Sequence, residues 1–142
     1  MHLYHLVYFS KRGARDPAVL ADILRVAQRN NARGGITGLL FVDDNQYIQV
    51  LEGPRSVLSD LLSRIMRDPR HSELQITLFE ELNYRKFKAW DMAILDGDST
   101  EVSRIFRYYT ADVASLSQLS GVVMWEMIEQ MADAFLSAPS DH

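Results

Sequence analysis

The chain has 142 residues, 47% of them hydrophobic, a formal charge of −4 and no cysteine. That length and apolar content fit a globular chain with a sizeable core, and the acidic balance argues against a nucleic-acid footprint. Disulfides, thiolate metal sites and a cysteine nucleophile are excluded, and without an apolar run of about eighteen residues no transmembrane helix is expected.

The N-terminus, Met1-His2-Leu3-Tyr4-His5, lacks a basic region followed by an apolar signal core, so the cytoplasm is the expected compartment. Leu3 to Phe9 is an apolar strand candidate. Lys11 to Arg15 is a polar loop. Asp16-Pro17 then opens a helix, with Asp as N-cap and Pro in the first turn. Leu20, Ile23, Leu24 and Ala27 fall at helical spacing and form its buried stripe. Asn30, Asn31 and Gly34-Gly35 end it. Ile36 to Val42 and Gln46 to Glu52 read as a hairpin around Asp43-Asp44-Asn45.

Pro54 and Ser56 open a second helix with the stripe Leu58, Leu61, Leu62 and Ile65, stopped by Pro69. The cluster Arg64, Arg67 and Arg70 reads as its solvated end. Leu74 to Leu82 is a fourth strand, and a short fifth strand is expected around residues 90–94. After the turn Asp96-Gly97-Asp98, Thr100 to Tyr109 and Leu116 to Leu136 read as helices, and a loose tail follows from Ser137. The order β-α-β-β-α-β-β is that of an α+β, ferredoxin-like sandwich with one extra strand. Both crossover helices then cover one sheet face. The broad apolar stripe of the last helix suits it to cap the other. Residues 1–96 and 97–142 are thus expected to be a core domain and a C-terminal helical cap.

Acid/base chemistry is not conspicuous. His2, His5, His71 and His142 are scattered and show no metal-ligand spacing. Gly34-Gly35-Ile36-Thr37-Gly38 lacks the lysine of a phosphate loop; a helix cap entering a strand is preferred. The informative residue is Gln49. Strand alternation turns it to the same face as Tyr47 and Leu51, where a neutral amide costs stability unless both its ends find partners. A buried amide without an ionisable pair nearby points to a hydrogen-bonded ligand. Singly, Tyr8, Asn30, Asn31, Trp90 and Met92 are explained as core or cap residues.

Together they are not. Tyr8, Asn30-Asn31-Ala32-Arg33 leading into Gly35-Ile36-Thr37-Gly38-Leu39-Leu40, Gln49-Val50-Leu51-Glu52-Gly53, Arg67-Asp68-Pro69-Arg70-His71 and Trp90-Asp91-Met92 occur in an order that resembles a BLUF domain, a blue-light sensor binding FAD non-covalently. The resemblance covers about residues 1–96, and the rest resembles the cap of short, stand-alone members.

The resemblance implies a flavin ring between the two crossover helices, against Ile23 and Ile65. Asn31 would hold its carbonyl edge, with Asn30 close by. Arg64 and His71 would approach the ribityl-phosphate end, and FMN could replace FAD in vitro. Gln49 would bond the flavin near N5 and the C4 carbonyl, with Tyr8 as partner. After light-driven transfer from Tyr8, a reversed Gln49 would add a hydrogen bond and shift absorption to the red. The change would pass through Trp90 or Met92 to the fifth strand, the C-terminal helices and a partner. One departure is Ala27, where many members carry a small hydroxyl residue. No effector domain follows, so a separate downstream protein or self-assembly into a homo-oligomer is expected to carry the output. No membrane or nucleic-acid partner is expected, and no enzymatic turnover. The rivals are a flavin-dependent enzyme and a ligand-free interaction module on the same fold.

Overall fold

The computed structural model describes residues 2–13, 17–69, 71–88, 90 and 92–137, with the side chains of 17, 19, 20, 23, 30–33, 71 and 137 also outside the description. The first compact unit is Met1–Ile94 and the second Leu95–His142.

The first unit carries strands β1 (Leu3–Arg12), β2 (Thr37–Val42), β3 (Gln46–Pro54) and β4 (His71–Leu82), and β5 (Ala93–Asp96) straddles the boundary. Two helices, α1 (Pro17–Gly34) and α2 (Arg55–Arg67), connect β1 to β2 and β3 to β4. The sheet order is β4-β1-β3-β2-β5. The pairs β1–β3, β1–β4 and β2–β3 are antiparallel. Each helix therefore crosses over one intervening strand, as the ferredoxin-like reading requires.

Alternation sorts the side chains as anticipated. Leu6, Tyr8, Leu40, Tyr47 and Leu51 lie in one core cluster with Leu58 of α2 and Met92. Leu24 and Ala27 of α1 and Leu61, Leu62 and Ile65 of α2 pack against it. The hairpin turn is fixed by Asp43, whose Oδ1 accepts from Asn45 N at 2.8 Å and Gln46 N at 3.0 Å. This is an Asx turn, in which a short carboxylate replaces backbone partners.

Several boundaries differ from expectation. The first helix runs through Asn30 and Asn31 to Gly34, and the reversal comes at Gly35, with φ of 70°. The expected N-cap Asp16 lies outside the described residues. β4 starts at His71, not Leu74, and its register with β1 shifts between Val7 and Tyr8. Thr77 is the residue passed over, as in a β-bulge. The extra residue lets Leu74 and Phe79, of opposite parity, both reach the same core.

In the second unit, α3 (Thr100–Thr110) precedes α4 (Gly121–Ser137). The single helix expected over Leu116 to Leu136 is broken: Leu116–Gln118 is a separate 3-10 turn. Ser120 Oγ accepts from Val123 N at 3.2 Å and restarts the helix. Its apolar residues Met124, Met127, Ile128 and Met131 are buried.

Candidate functional site

Tyr8 and Gln49 are directly opposed in the β1–β3 ladder, and Gln49 is in turn opposed to Leu40 of β2. Side chains opposed on one face approach closely. The Tyr8 hydroxyl donates to Gln49 Oε1. Burial holds the Tyr8 phenol well above its usual pKa, with Tyr47 and Asp68 adding to the effect. The hydroxyl therefore keeps its proton and remains a donor.

The other end of the amide is served differently. Gln49 Nε2 donates to Met92 Sδ at 3.5 Å. A thioether is a weak acceptor. Gln49 is 6% exposed, so bulk water has little access to it. The amide is held firmly at its oxygen and loosely at its nitrogen.

Met92 and Trp90 do not behave as two residues of one strand face. β5 begins at Ala93, so both lie in the preceding segment. Met92 is buried beside Gln49. Trp90 stacks on Phe87, with ring centres 5.1 Å apart and planes 10° apart. Strand alternation does not decide which of the two meets Gln49, because both precede the regular strand. One local turn bond and two bonds from distant elements hold the segment. Trp90 N donates to Phe87 O at 2.9 Å, and Gly38 N to Trp90 O at 3.0 Å. From α1, Gln28 Nε2 donates to Met92 O at 3.4 Å.

Glu52 anchors the start of this segment. It is fully buried. Its Oε1 accepts from Thr37 Oγ1 at 3.0 Å and Phe87 N at 2.9 Å, and its Oε2 from Lys86 N at 2.7 Å. Arg85 Nη1 donates to Thr37 Oγ1 at 2.9 Å and Glu52 O at 3.0 Å. A hydrogen bond to a charged group contributes about 1.5–3 kcal/mol, so this is a strong attachment. Glu52 and Gly38 were not singled out from sequence as site residues. A carboxylate inside Ile48-Gln49-Val50-Leu51-Glu52-Gly53, a run apolar on both faces, was the available signal, because a buried charge demands partners.

Of the other expected site residues, Ile65 is half-buried against the core cluster, and Arg64 is exposed on the last turn of α2. The side chains of Ile23, Asn30, Asn31 and His71 lie outside the described residues. Among the described residues, no group of three or more His, Asp or Glu could hold a metal. No described helix is long and apolar enough to cross a membrane.

Residues 3–93 match the family model BLUF, described as sensors of blue-light using FAD. The chain belongs to the BLUF family. BLUF domains are flavin-binding blue-light sensors. The chain is 30% identical to BlrB, a BLUF protein solved in its dark state, with a TM-score of 0.78 over 94% of this chain and 97% of that one. It is 29% identical to Klebsiella pneumoniae BlrP1 solved with FMN and cyclic diGMP, with a TM-score of 0.69 over 93% of this chain and 35% of that one. It is also 37% identical over 68 residues to the photoactivated adenylate cyclase subunit beta of Euglena gracilis, a match of 48% of this chain to 8% of that protein.

The described residues fit a BLUF flavin. Tyr8 and Gln49 supply a buried donor–acceptor pair whose amide nitrogen meets only a weak acceptor among them. Apolar side chains of α1 and α2 converge on the same cluster. Such walls with few placed polar groups suit an aromatic cofactor.

Proposed function

We propose that this chain senses blue light by reversing the Gln49 amide between Tyr8 and a bound FAD. The observation that carries the reading is the unequal pairing of the two ends of Gln49, strong at Oε1 and weak at Nε2. When bound, the flavin supplies the light absorption and the transient electron acceptor. Tyr8 gives up an electron and its hydroxyl proton, and Gln49 relays the proton. When both return to Tyr8, the amide has exchanged its donor and acceptor ends by rotation or tautomerisation. Nothing in the backbone need move for this step.

Ile23, Ile65, Asn30, Asn31, Arg64 and His71 are assigned to flavin contact by the family's pattern, with Ile65 supported by its place on the core cluster. FMN is expected to substitute in vitro. Met92 is the first receiver of the change, because its sulfur is the partner that a reversed amide loses. Trp90 follows as its neighbour in the same segment. The signal then leaves through the fifth strand and the helical cap, residues 97–142, to a separate effector in the cytoplasm or a second copy of this chain. The chain itself is not an enzyme. The matched segment is only 8% of the Euglena cyclase, so that protein's activity is no guide to turnover here.

The purified protein is expected to be yellow and to release FAD on denaturation. A colourless protein that does not take up added FAD contradicts the receptor reading and favours a ligand-free interaction module.

A further inference from the structure

We propose that Glu52 is a positioning residue that sets the orientation of Gln49 from the opposite face of the same strand, acting through the backbone of Lys86, Phe87 and Trp90 and through Met92. The proposal rests on the light-sensing reading for its consequence, but its structural part stands apart from it.

The Gln49–Met92 contact is too weak to hold a loop in place, since a thioether sulfur is a poor acceptor. Ordering several residues without regular structure is costly in backbone entropy. Besides the bond from Gln28 Nε2 to Met92 O at 3.4 Å, the placement of Met92 draws on bonds made earlier in its segment. The strongest are those that Glu52 makes to Lys86 N at 2.7 Å and Phe87 N at 2.9 Å. Bonds to an ionised acceptor are shorter and stronger than neutral ones. From Phe87 the attachment continues: Phe87 O accepts from Trp90 N at 2.9 Å, and Trp90 O accepts from Gly38 N at 3.0 Å. Two residues later the Met92 sulfur meets the amide of Gln49.

The path thus begins and ends on β3, three residues apart. Alternation puts Glu52 and Gln49 on opposite faces. The segment starts against one face and finishes against the other, so a change of Gln49 that displaces Met92 pulls on a tether fixed behind the sheet. Thr37 supports the carboxylate from β2, donating to Oε1 at 3.0 Å. Glu52 does not touch Gln49, Tyr8 or the place assigned to the flavin.

The test uses the whole chain carrying Glu52→Gln, read by amide hydrogen exchange and by methyl NMR of methionine. Exchange of the Lys86 and Phe87 amides should accelerate by about tenfold or more. The Met92 methyl resonance should move, while those of Met124, Met127 and Met131 stay. Faster exchange with an unmoved Met92 resonance would show that Glu52 only ties the loop, and would overturn the proposal. So would unchanged exchange. If Glu52→Gln does not fold, Thr37→Val, which removes one donor to the carboxylate, should give smaller changes in the same direction, and their absence counts equally against it.

These readings need no flavin, so they survive failure of the light-sensing reading. The link to Gln49 is read separately in dark recovery after illumination. Glu52→Gln should change the recovery rate several-fold in the native background and by less than about twofold in a Met92→Ala background, because residues acting through one path are not additive. Equal changes in both backgrounds would break the link.

Discussion

The side-chain nitrogen of Gln49 faces the sulfur of Met92 at 3.5 Å, while its oxygen takes the Tyr8 hydroxyl. The amide thus has one partner that fixes it and one that yields. A switch requires that its two positions lie close in energy, and a weak partner at one end keeps the gap small.

Removing the firm partner is expected to leave flavin bound and abolish the light-induced shift. Tyr8→Phe also strands the buried Gln49 Oε1, at a cost of about 1–3 kcal/mol in stability. Absorption spectra before and after blue light, with a denaturant titration, read both effects. A normal photocycle in Tyr8→Phe would show that the hydroxyl is not the electron and proton source.

Gln49→Glu keeps the size of the side chain and loses its asymmetry. An ionised carboxylate only accepts, so it still receives Tyr8 but gives nothing on its other side. Burial also penalises its charge. Gln49→Glu is expected to lose the shift as completely as Gln49→Ala. A reversible shift of normal size in the Glu variant, measured in the same spectrometer, would count against an exchange of amide ends.

Met92 and Trp90 should separate in recovery kinetics. Met92→Ala removes both the acceptor at Gln49 and a buried side chain, at about 2–5 kcal/mol in stability. Trp90→Ala removes a ring stacked on Phe87 and leaves the bonds of its backbone in place. The rate of dark recovery should therefore change more in Met92→Ala. A larger change in Trp90→Ala would reverse the order assigned to them.

That order was not legible in the sequence, and the reason is physical. Period-2 patterning placed Tyr47, Gln49 and Leu51 on one face correctly, because those residues lie in one regular strand. It left Trp90 and Met92 undecided, where Glu52, Gly38 and Gln28 fix the chain by bonds from distant elements. Likewise the apolar spacing of Leu116, Leu119 and Val123 ran on without interruption, and only the capping bond of Ser120 ends one element and starts the next.

Gly38 should tolerate no side chain. A Cβ there would lie 1.9 Å from Val50 O, a backbone atom that cannot step aside without parting β2 from β3. Gly38→Ala is expected to cost at least about 1–3 kcal/mol. Chemical denaturation of the variant measures it, and a loss below about 0.5 kcal/mol would mean that the strands slide apart freely.

His5 makes stability depend on pH. Burial lowers its pKa below the ordinary histidine value, with Glu80 and Glu52 opposing that shift. Its folded pKa is thus below its unfolded one, so the unfolded chain binds the proton more readily. The contribution of His5 is whole above about pH 6.5 and is lost as pH falls through the lowered folded value. Denaturation midpoints should fall between pH 7.5 and pH 5.5, and less steeply in His5→Gln. Identical pH slopes in the two proteins would assign the effect to other groups.

The light-minus-dark absorption spectrum of the purified protein tests most directly whether Gln49 acts as a reversible amide beside a flavin. A small red shift of the flavin bands that decays fully in the dark is the predicted result. A flavin-loaded protein whose spectrum stays unchanged under blue light would contradict it.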